Sequence, residues 1–443
     1  MKQQIIEKIR NAGVVGAGGA GLPTHVKADA SVDTVLVNGA SCEPLLMSDP
    51  YLLEAECETV LKGLAALMEC TGAARGLVCL KGKHAHAMDS VRTAVAKAGV
   101  KGLDFVELED FYPAGDEHVL VHEVLGRTVP ERGIPLQVGV VVSNVESLYN
   151  VALAKDDIPV TDRYLTVAGE VARPMVVKVP VGTPVEAVLN FAGGSRIAKY
   201  AVVDGGPMMG RVLPGATQSV SKTTSGLLVL PHDHPVVTGK VMDPERLCRI
   251  TATICCQCSQ CTDLCPRHLL GHSLHPHKLM RVAAKADLAA APVAREALLC
   301  SECGICEKFA CPMNVSPREV NALIKKALMA QGIAWEPQNT APQAHLFRKE
   351  RRIPTARLIQ RLQLEQYAAH PAFAGSMSVD RVCLSLRQHI GAPALPVVGP
   401  GDVVCKGDLV GEIPKGAMAA RVHASIGGTV LSVADGIITI KAQ

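Results

Sequence analysis

Two cysteine runs constrain this chain more than anything else in it. Residues 255–266 read CCQCSQCTDLCP, and residues 300–312 read CSECGICEKFACP. The first run places Cys255, Cys258, Cys261 and Cys265 before Pro266; the second places Cys300, Cys303, Cys306 and Cys311 before Pro312, with a final gap one residue longer. Three thiolates at this spacing wrap three corners of a cuboidal 4Fe–4S cluster, and in two-cluster domains the last cysteine of each run crosses to the other cluster. The spacing therefore predicts one cluster on Cys255, Cys258, Cys261 and Cys311, and a second on Cys300, Cys303, Cys306 and Cys265. The prolines prevent a helix from continuing through the crossing cysteine. Structural zinc fits less well, because zinc sites pair two CxxC units on each ion. Cys256 adjoins a ligand and points elsewhere. Cys42, Cys57, Cys70, Cys79, Cys248, Cys383 and Cys405 lack ligand spacing and read as small buried side chains.

Bulk composition narrows the surroundings of the clusters. A length of 443 residues exceeds one ordinary core, so several domains are expected. A net charge of +3 and 3% aromatic residues argue against nucleic acid, which asks for basic surfaces and stacking platforms. The run Arg348–Lys349–Glu350–Arg351–Arg352 is broken by an acid and reads as a solvated helix or linker face. No apolar run reaches the roughly 18–20 residues of a membrane span. Sixteen cysteines without a signal-peptide pattern at the N-terminus imply a reducing compartment, the cytoplasm.

Along the chain, an amphipathic first helix enters GVVGAGGAGLPTHVK. The strands VDTVLVNGA, RGLVCLKG and GLDFVELED then alternate with helical stretches, one spanning LLEAECETVLKGLAALMECTG to a stop at Gly72 and one spanning HAHAMDSVRTAVAKAG. That alternation predicts a Rossmann-like α/β domain with a largely parallel sheet over 1–158. Residues 159–235 alternate apolar and polar residues, turn at Arg173–Pro174 and offer a helix near Thr183–Pro184, the pattern of a β-grasp module. Residues 244–330 are helical and hold the cysteines. Residues 331–375 read as a linker around one helix. Residues 376–443 are β-rich and glycine-rich, a barrel-sandwich hybrid. Carrier domains of that class present a lysine at a hairpin tip; here Ala417–Met418–Ala419–Ala420 stands there, so the module reads as structural or docking.

The stretch Gly16–Lys27, GAGGAGLPTHVK, has the composition of a phosphate cradle. It follows a helix and not a strand, so it is no standard dinucleotide fingerprint. Taken with NGASCEP, FYPAGDEHVLVHEVLGRTVPERGIP, GVVVSNVESLYN, GGPMMG, VSKTTSGLLVLP, LCPRHLLGH and VHASIGGTV, it resembles a known family over nearly the whole chain. These blocks are similar to the flavin-binding subunit of respiratory complex I, more so to the C component of the Rnf electron-transport complex, and most to the corrinoid (cobalamin) reductases of propanediol-utilisation microcompartments.

That resemblance implies FMN, two 4Fe–4S clusters and NADH as the electron donor. Carried over by position, Gly16, Gly18, Gly19 and Gly21 match the loop that cradles the flavin phosphate, and Lys27 a lysine beside that phosphate. Asn38 and Glu43 match the loop facing the flavin ring. Tyr112, Gly115, Asp116 and Glu117 match the stretch between flavin and nicotinamide, and Asn144 and Glu146 the block closing the site. The chain departs from the complex I pattern at Ala17, where an arginine is usual, and in the shortened acidic stretch 39–44. The implied protein is an NADH-dependent oxidoreductase that passes electrons to cobalamin. Its expected partners are cobalamin, a B12-dependent enzyme or its adenosyltransferase, and a microcompartment shell protein. Its expected place is the cytoplasm, within a microcompartment. The competing reading is an electron-relay component without its own nicotinamide site. No catalytic nucleophile is expected, and His84, His86, His268, His272, His275 and His277 read as packing around the cofactors.

Overall fold

The computed structural model describes residues 2–215, 218–285, 287–337, 339 and 341–443. Its first layer grows from the strand Thr34–Gly39, whose run of apolar side chains is buried on both faces. It pairs in parallel with Arg75–Lys81 on one side and Val140–Asn144 on the other; Leu103–Leu108 completes the sheet beyond Arg75–Lys81. Fully buried parallel strands need both faces covered, and helices supply the cover. Cys57–Thr71 stops at Gly72 in the left-handed conformation, and Ala85–Ala98 stops likewise at Gly99, as glycine permits. The stretch read as one helix before Gly72 is two, Ser48–Ala55 and Cys57–Thr71, separated by Glu56. The break lets each half pack on a different partner: the first half lies on Ala85–Ala98 and the second on Val145–Lys155.

The β-grasp module follows as a six-stranded sheet in the order Phe373–Ser376, Met175–Pro180, Asp162–Gly169, Gly226–Pro231, Tyr200–Asp204 and Arg211–Val212. The helix Val185–Phe191 begins after Pro184, where the sequence puts it. The edge strand Phe373–Ser376 comes from the segment read as a linker, and a second short strand from that segment, Ile353–Pro354, pairs with Phe111–Tyr112 of the first module. Between them lies the expected helix, Thr355–Arg361. The basic run also departs from its reading as a solvated face. Arg348 is buried and pairs with Glu123, while Arg352 pairs with Glu109 and Glu123. Segment 331–375 is thus a stitch between modules.

The cysteine runs sit among short helices braced by Pro244–Ile254 and Pro317–Ala330. The C-terminal module has two small sheets, one of Arg381–Ser385, Ile437–Lys441, Gly428–Ala434 and Val403–Val404, the other of Leu395–Pro396, Leu409–Glu412 and Val422–His423. It is docked against the other modules. Ala419 and Ala420, at the tip where a carrier would show its lysine, are buried. The Lys222 ammonium, from the β-grasp module, donates to the carbonyls of Gly13 and Arg421, each at 2.7 Å. One side chain therefore joins the start of the glycine-rich segment to the last module.

Burial lowers the Lys222 pKa from 10.5 to about 7. The folded chain therefore binds fewer protons than the unfolded chain between these values, and stability rises with pH across that window. The thermal midpoint of the protein, measured against Lys222→Met, should gain on the variant as pH climbs from about 7 toward 10. A flat difference would show that Lys222 is charged in the fold.

Candidate functional site: a switch-point crevice and two thiol-lined cavities

The order of the first sheet reverses between Thr34–Gly39 and Val140–Asn144. Such a topological switch opens a crevice outside the carboxyl ends of the strands, where α/β sheets bind ligands. Asn38 and Asn144 are register partners at that end. The Asn38 amide donates to the Gly115 carbonyl at 2.8 Å, and the Asn144 amide to Asp49 at 2.8 Å. Two helices begin beside them, Glu117–Leu125 capped by Asp116 and Val145–Lys155 capped by Asn144. The positive ends of both helix dipoles therefore face the crevice and favour an anion.

The glycine loop closes on itself through Gly16 N–H to the Leu22 carbonyl at 2.8 Å and the bridge of Val15 to Pro23. Its tip, Gly18 to Ala20, is exposed. Gly19 has φ +104° with open space where a side chain would stand, and Gly18 lies against the Asn144 side chain. Lys27 reaches the same place, donating to the Val142 carbonyl at 2.8 Å and pairing with Glu117 at 3.1 Å. The crevice thus gathers Gly18, Gly19, Lys27, Asn38, Gly115, Glu117 and Asn144. A bare backbone tip, a lysine and two helix N-termini suit a phosphate, and the paired asparagine amides suit the edge of a polar ring.

The other residues singled out from the sequence stand at joints. Glu146 is 1% exposed; it accepts from Arg163 at 2.6 Å and from the Tyr164 N–H at 3.0 Å. Burial pushes its pKa up while Arg163 holds it down. Gly21, at φ +71°, lies where a side chain would crowd Thr223 and His389. Glu43 accepts from the N–H groups of Met208 and Met209. Tyr112 donates to the Cys303 carbonyl at 2.6 Å, and Asp116 pairs with Arg267 at 2.9 Å.

Several contributors escaped sequence reading. Arg163 holds the Ala17 carbonyl at 2.7 Å, and Ser147 accepts the Ala17 N–H at 2.8 Å. Asp49, lifted to about 6 by burial against the pull of Arg163 and Asn144, anchors Asn144. A lone arginine in the strand DRYLTVAG was the available signal for Arg163, and the position after Cys265–Pro266 was the signal for Arg267.

The eight run cysteines wall two cavities in the crossed pairing. Cys255, Cys258, Cys261 and Cys311 line one, and Cys256, expected from its position to point elsewhere, stands on the same wall. Cys265, Cys300, Cys303 and Cys306 line another. Among the described residues no three His, Cys, Asp or Glu groups gather as they would on a single ion; the thiols stand around voids. Four thiols around a void are the donor set of a cuboidal cluster. The Glu302 N–H and the Asn321 amide reach the Cys300 sulfur at 3.3 and 3.7 Å, and the Gln257 amide reaches Cys255 at 3.3 Å. Burial pushes the Cys261 and Cys265 thiols up to about 12 and raises Cys300, Cys303, Cys306 and Cys311 as well. Metal must therefore displace protons to bind.

Comparison with known proteins agrees with this layout. Family profiles described as the Nuo51 FMN-binding domain, the SLBB domain, the 4Fe-4S dicluster domain and the RnfC barrel sandwich hybrid domain match residues 9–153, 164–212, 254–316 and 366–443. The chain is 43% identical to the cobalamin reductase PduS of Citrobacter freundii over 99% of its own length and 96% of that protein. The chain belongs to the PduS cobalamin reductase family. The Salmonella typhimurium member is 42% identical over the same 99% and 96% shares. The C component of the Na+-translocating ferredoxin:NAD+ oxidoreductase complex of Acetobacterium woodii is more distant, at 33% identity over 60% of this chain and 58% of that one. An NAD+-reducing [NiFe]-hydrogenase structure in the air-oxidized state shares the fold, with a TM-score of 0.51 and 22% identity over 82% of this chain and 68% of its own. The flavin-binding, β-grasp, dicluster and barrel-sandwich classes expected from sequence are the matched domains of this family.

The crossed pairing is testable. Cys265→Ser should abolish the same electron paramagnetic resonance signal as Cys303→Ser, and leave the signal that Cys258→Ser abolishes. Iron content should fall from about eight to about four per chain in each variant. Loss of the Cys258 signal in Cys265→Ser would refute the crossing.

Proposed function

We propose that the chain is a reductase that takes electrons from NADH at the switch-point crevice and delivers them singly to cobalamin. The carrying observation is the joint between crevice and cavities: Tyr112 bonds the carbonyl of Cys303, and Asp116 pairs with Arg267 directly after Cys265–Pro266. When bound, a flavin accepts an electron pair and releases it one electron at a time, and the clusters carry single electrons. Gly18, Gly19 and Lys27 would hold the flavin phosphate; Asn38, Asn144 and Gly115 would orient its ring. Glu117, 44% exposed along its side chain and paired with Lys27, stands at the rim where a nicotinamide nucleotide would enter. The cysteines fit two clusters, the second walled mostly by buried residues and the first open to solvent at Cys258. No helix among the described residues is long and apolar enough to cross a membrane.

The full-length similarity to proteins named cobalamin reductase supports cobalamin as the acceptor. It would be met free or held by a B12-dependent enzyme or its adenosyltransferase. Residence in the cytoplasm within a propanediol-utilisation microcompartment, against a shell protein, belongs to the same reading.

Reconstituted anaerobically, the protein should lose flavin and cluster absorbance on addition of NADH, and cob(III)alamin should restore both. A flavin that stays oxidised with NADH but bleaches with dithionite would instead make the chain a relay awaiting a partner donor. Lys27→Met should weaken flavin binding, measured by fluorescence, by about tenfold or more, the scale of a lost charged hydrogen bond. Unchanged affinity would remove Lys27 from the phosphate site.

A further inference from the structure

The turn 205–210, Gly-Gly-Pro-Met-Met-Gly, belongs to the β-grasp module yet lies between the two redox modules. Glu43, on the loop that leaves the crevice strand, grips it from one side. Its Oε2 accepts the Met208 N–H at 2.9 Å and its Oε1 accepts the Met209 N–H at 2.7 Å. Gly206 makes that grip possible, since a side chain there would stand 2.1 Å from Glu43 Oε2. Lys240 grips the other side, donating to the carbonyls of Met208 at 2.9 Å and Gly210 at 2.7 Å. The two methionines at the tip then part. Met209 is 51% exposed, whereas Met208 is fully buried.

Met208 is buried in a core shared with Tyr112 of the flavin-binding module and with Cys303 and Ile305 of the cysteine loop, against which Cys42 packs. Its Cε lies 3.4 Å from where a side chain on Gly304 would begin, and Gly304 itself has φ +81°. A thioether on an unbranched chain suits an irregular gap of this kind.

We infer that Met208 is a positioning residue, a plug that fixes the spacing between the crevice loop 38–46 and the cysteine loop 300–306, with Glu43 and Lys240 clamping the turn that carries it. The β-grasp module thereby acquires a task in electron transfer without touching either cofactor. The inference rests on the crevice being the flavin site. Truncating Met208 leaves a hole among Tyr112, Cys303 and Ile305, loosening the wall behind the Cys303 thiol and admitting water between the modules.

The test uses full-length reconstituted protein with Met208→Ala, Met208→Leu and, as control on the same turn, Met209→Ala. Three quantities are read: flavin affinity by fluorescence; the resonance spectrum of each dithionite-reduced cluster; and, by stopped flow with NADH, flavin reduction separately from cluster reduction. Met208→Ala should alter the spectrum of the cluster assigned to Cys265, Cys300, Cys303 and Cys306 and spare the other. It should slow cluster reduction by about tenfold or more, the scale on which a misplacement of about 1 Å acts, with flavin affinity and flavin reduction unchanged. Met208→Leu should recover most of the loss, and Met209→Ala should behave as the parent. If Met208→Ala does not fold, Met208→Val takes its place: a shifted spectrum of that cluster with slowed cluster reduction supports the plug, and parental behaviour overturns it. A silent Met208→Ala, or equal loss in Met209→Ala, overturns it too. If the parent protein binds no flavin, the crevice assignment falls and takes this inference with it; if the parent binds flavin and Met208→Ala is silent, only the inference falls.

Discussion

The arrangement depends first on one buried guanidinium. Arg163, 3% exposed, starts the first strand of the β-grasp sheet and spends all three of its nitrogens inside the protein. Nη1 meets Glu146 at 2.6 Å, Nη2 the Ala17 carbonyl at 2.7 Å and Nε the Thr224 carbonyl at 2.6 Å. A buried ion pair repays its desolvation only when its remaining hydrogen-bonding groups are satisfied, and here they are satisfied by three separate stretches of chain. The glycine loop has little packing of its own at its exposed tip. Arg163 and Ser147 hold it at Ala17, and Lys222, together with the Ile390 N–H bond to the Gly21 carbonyl, holds its ends. The crevice exists in its final form only with the β-grasp and barrel-sandwich modules in place.

This explains which parts of the protein were legible in its sequence. The grouping of the run cysteines around two cavities was, because its geometry is local: seven residues place three thiols on one wall, and the fourth comes from the other run. Module classes were legible from the change of hydrophobic period along the chain. The crevice was legible only through resemblance, because it depends on register. Asn38 and Asn144 are more than a hundred positions apart, and nothing short of strand pairing makes them neighbours. The same non-locality hid Arg163, whose partners lie in three different segments. It also explains why Glu43, Tyr112 and Glu146, although picked out, stand at joints: a sequence block shows that a residue is required near a site, not which way its side chain turns.

The supposed linker shows the complementary limit. Two-residue and four-residue strands such as Ile353–Pro354 and Phe373–Ser376 carry no period that could be read. Their pairing is determined by the sheets already waiting for them. Likewise the basic run around Arg348 has the composition of a solvated face, yet its charges answer Glu109 and Glu123 across a module boundary. Composition reports charge; only the partner decides whether that charge faces water.

The two thiol-lined cavities differ in a way that bears on how the molecule assembles. The first cavity has the exposed Cys256 and Cys258 on its wall beside the buried Cys261 and Cys311, whereas the second is lined by the buried Cys265, Cys303 and Cys306 and the half-buried Cys300. A thiol binds metal as its thiolate, so loading either cavity releases protons. The second cavity is also the one whose backbone the flavin-binding module touches, since Tyr112 bonds the carbonyl of Cys303 and Asp116 pairs with Arg267, two residues after Cys265. The joint to the crevice therefore rests on the backbone that carries these thiols, about two hundred residues from Tyr112 in the chain.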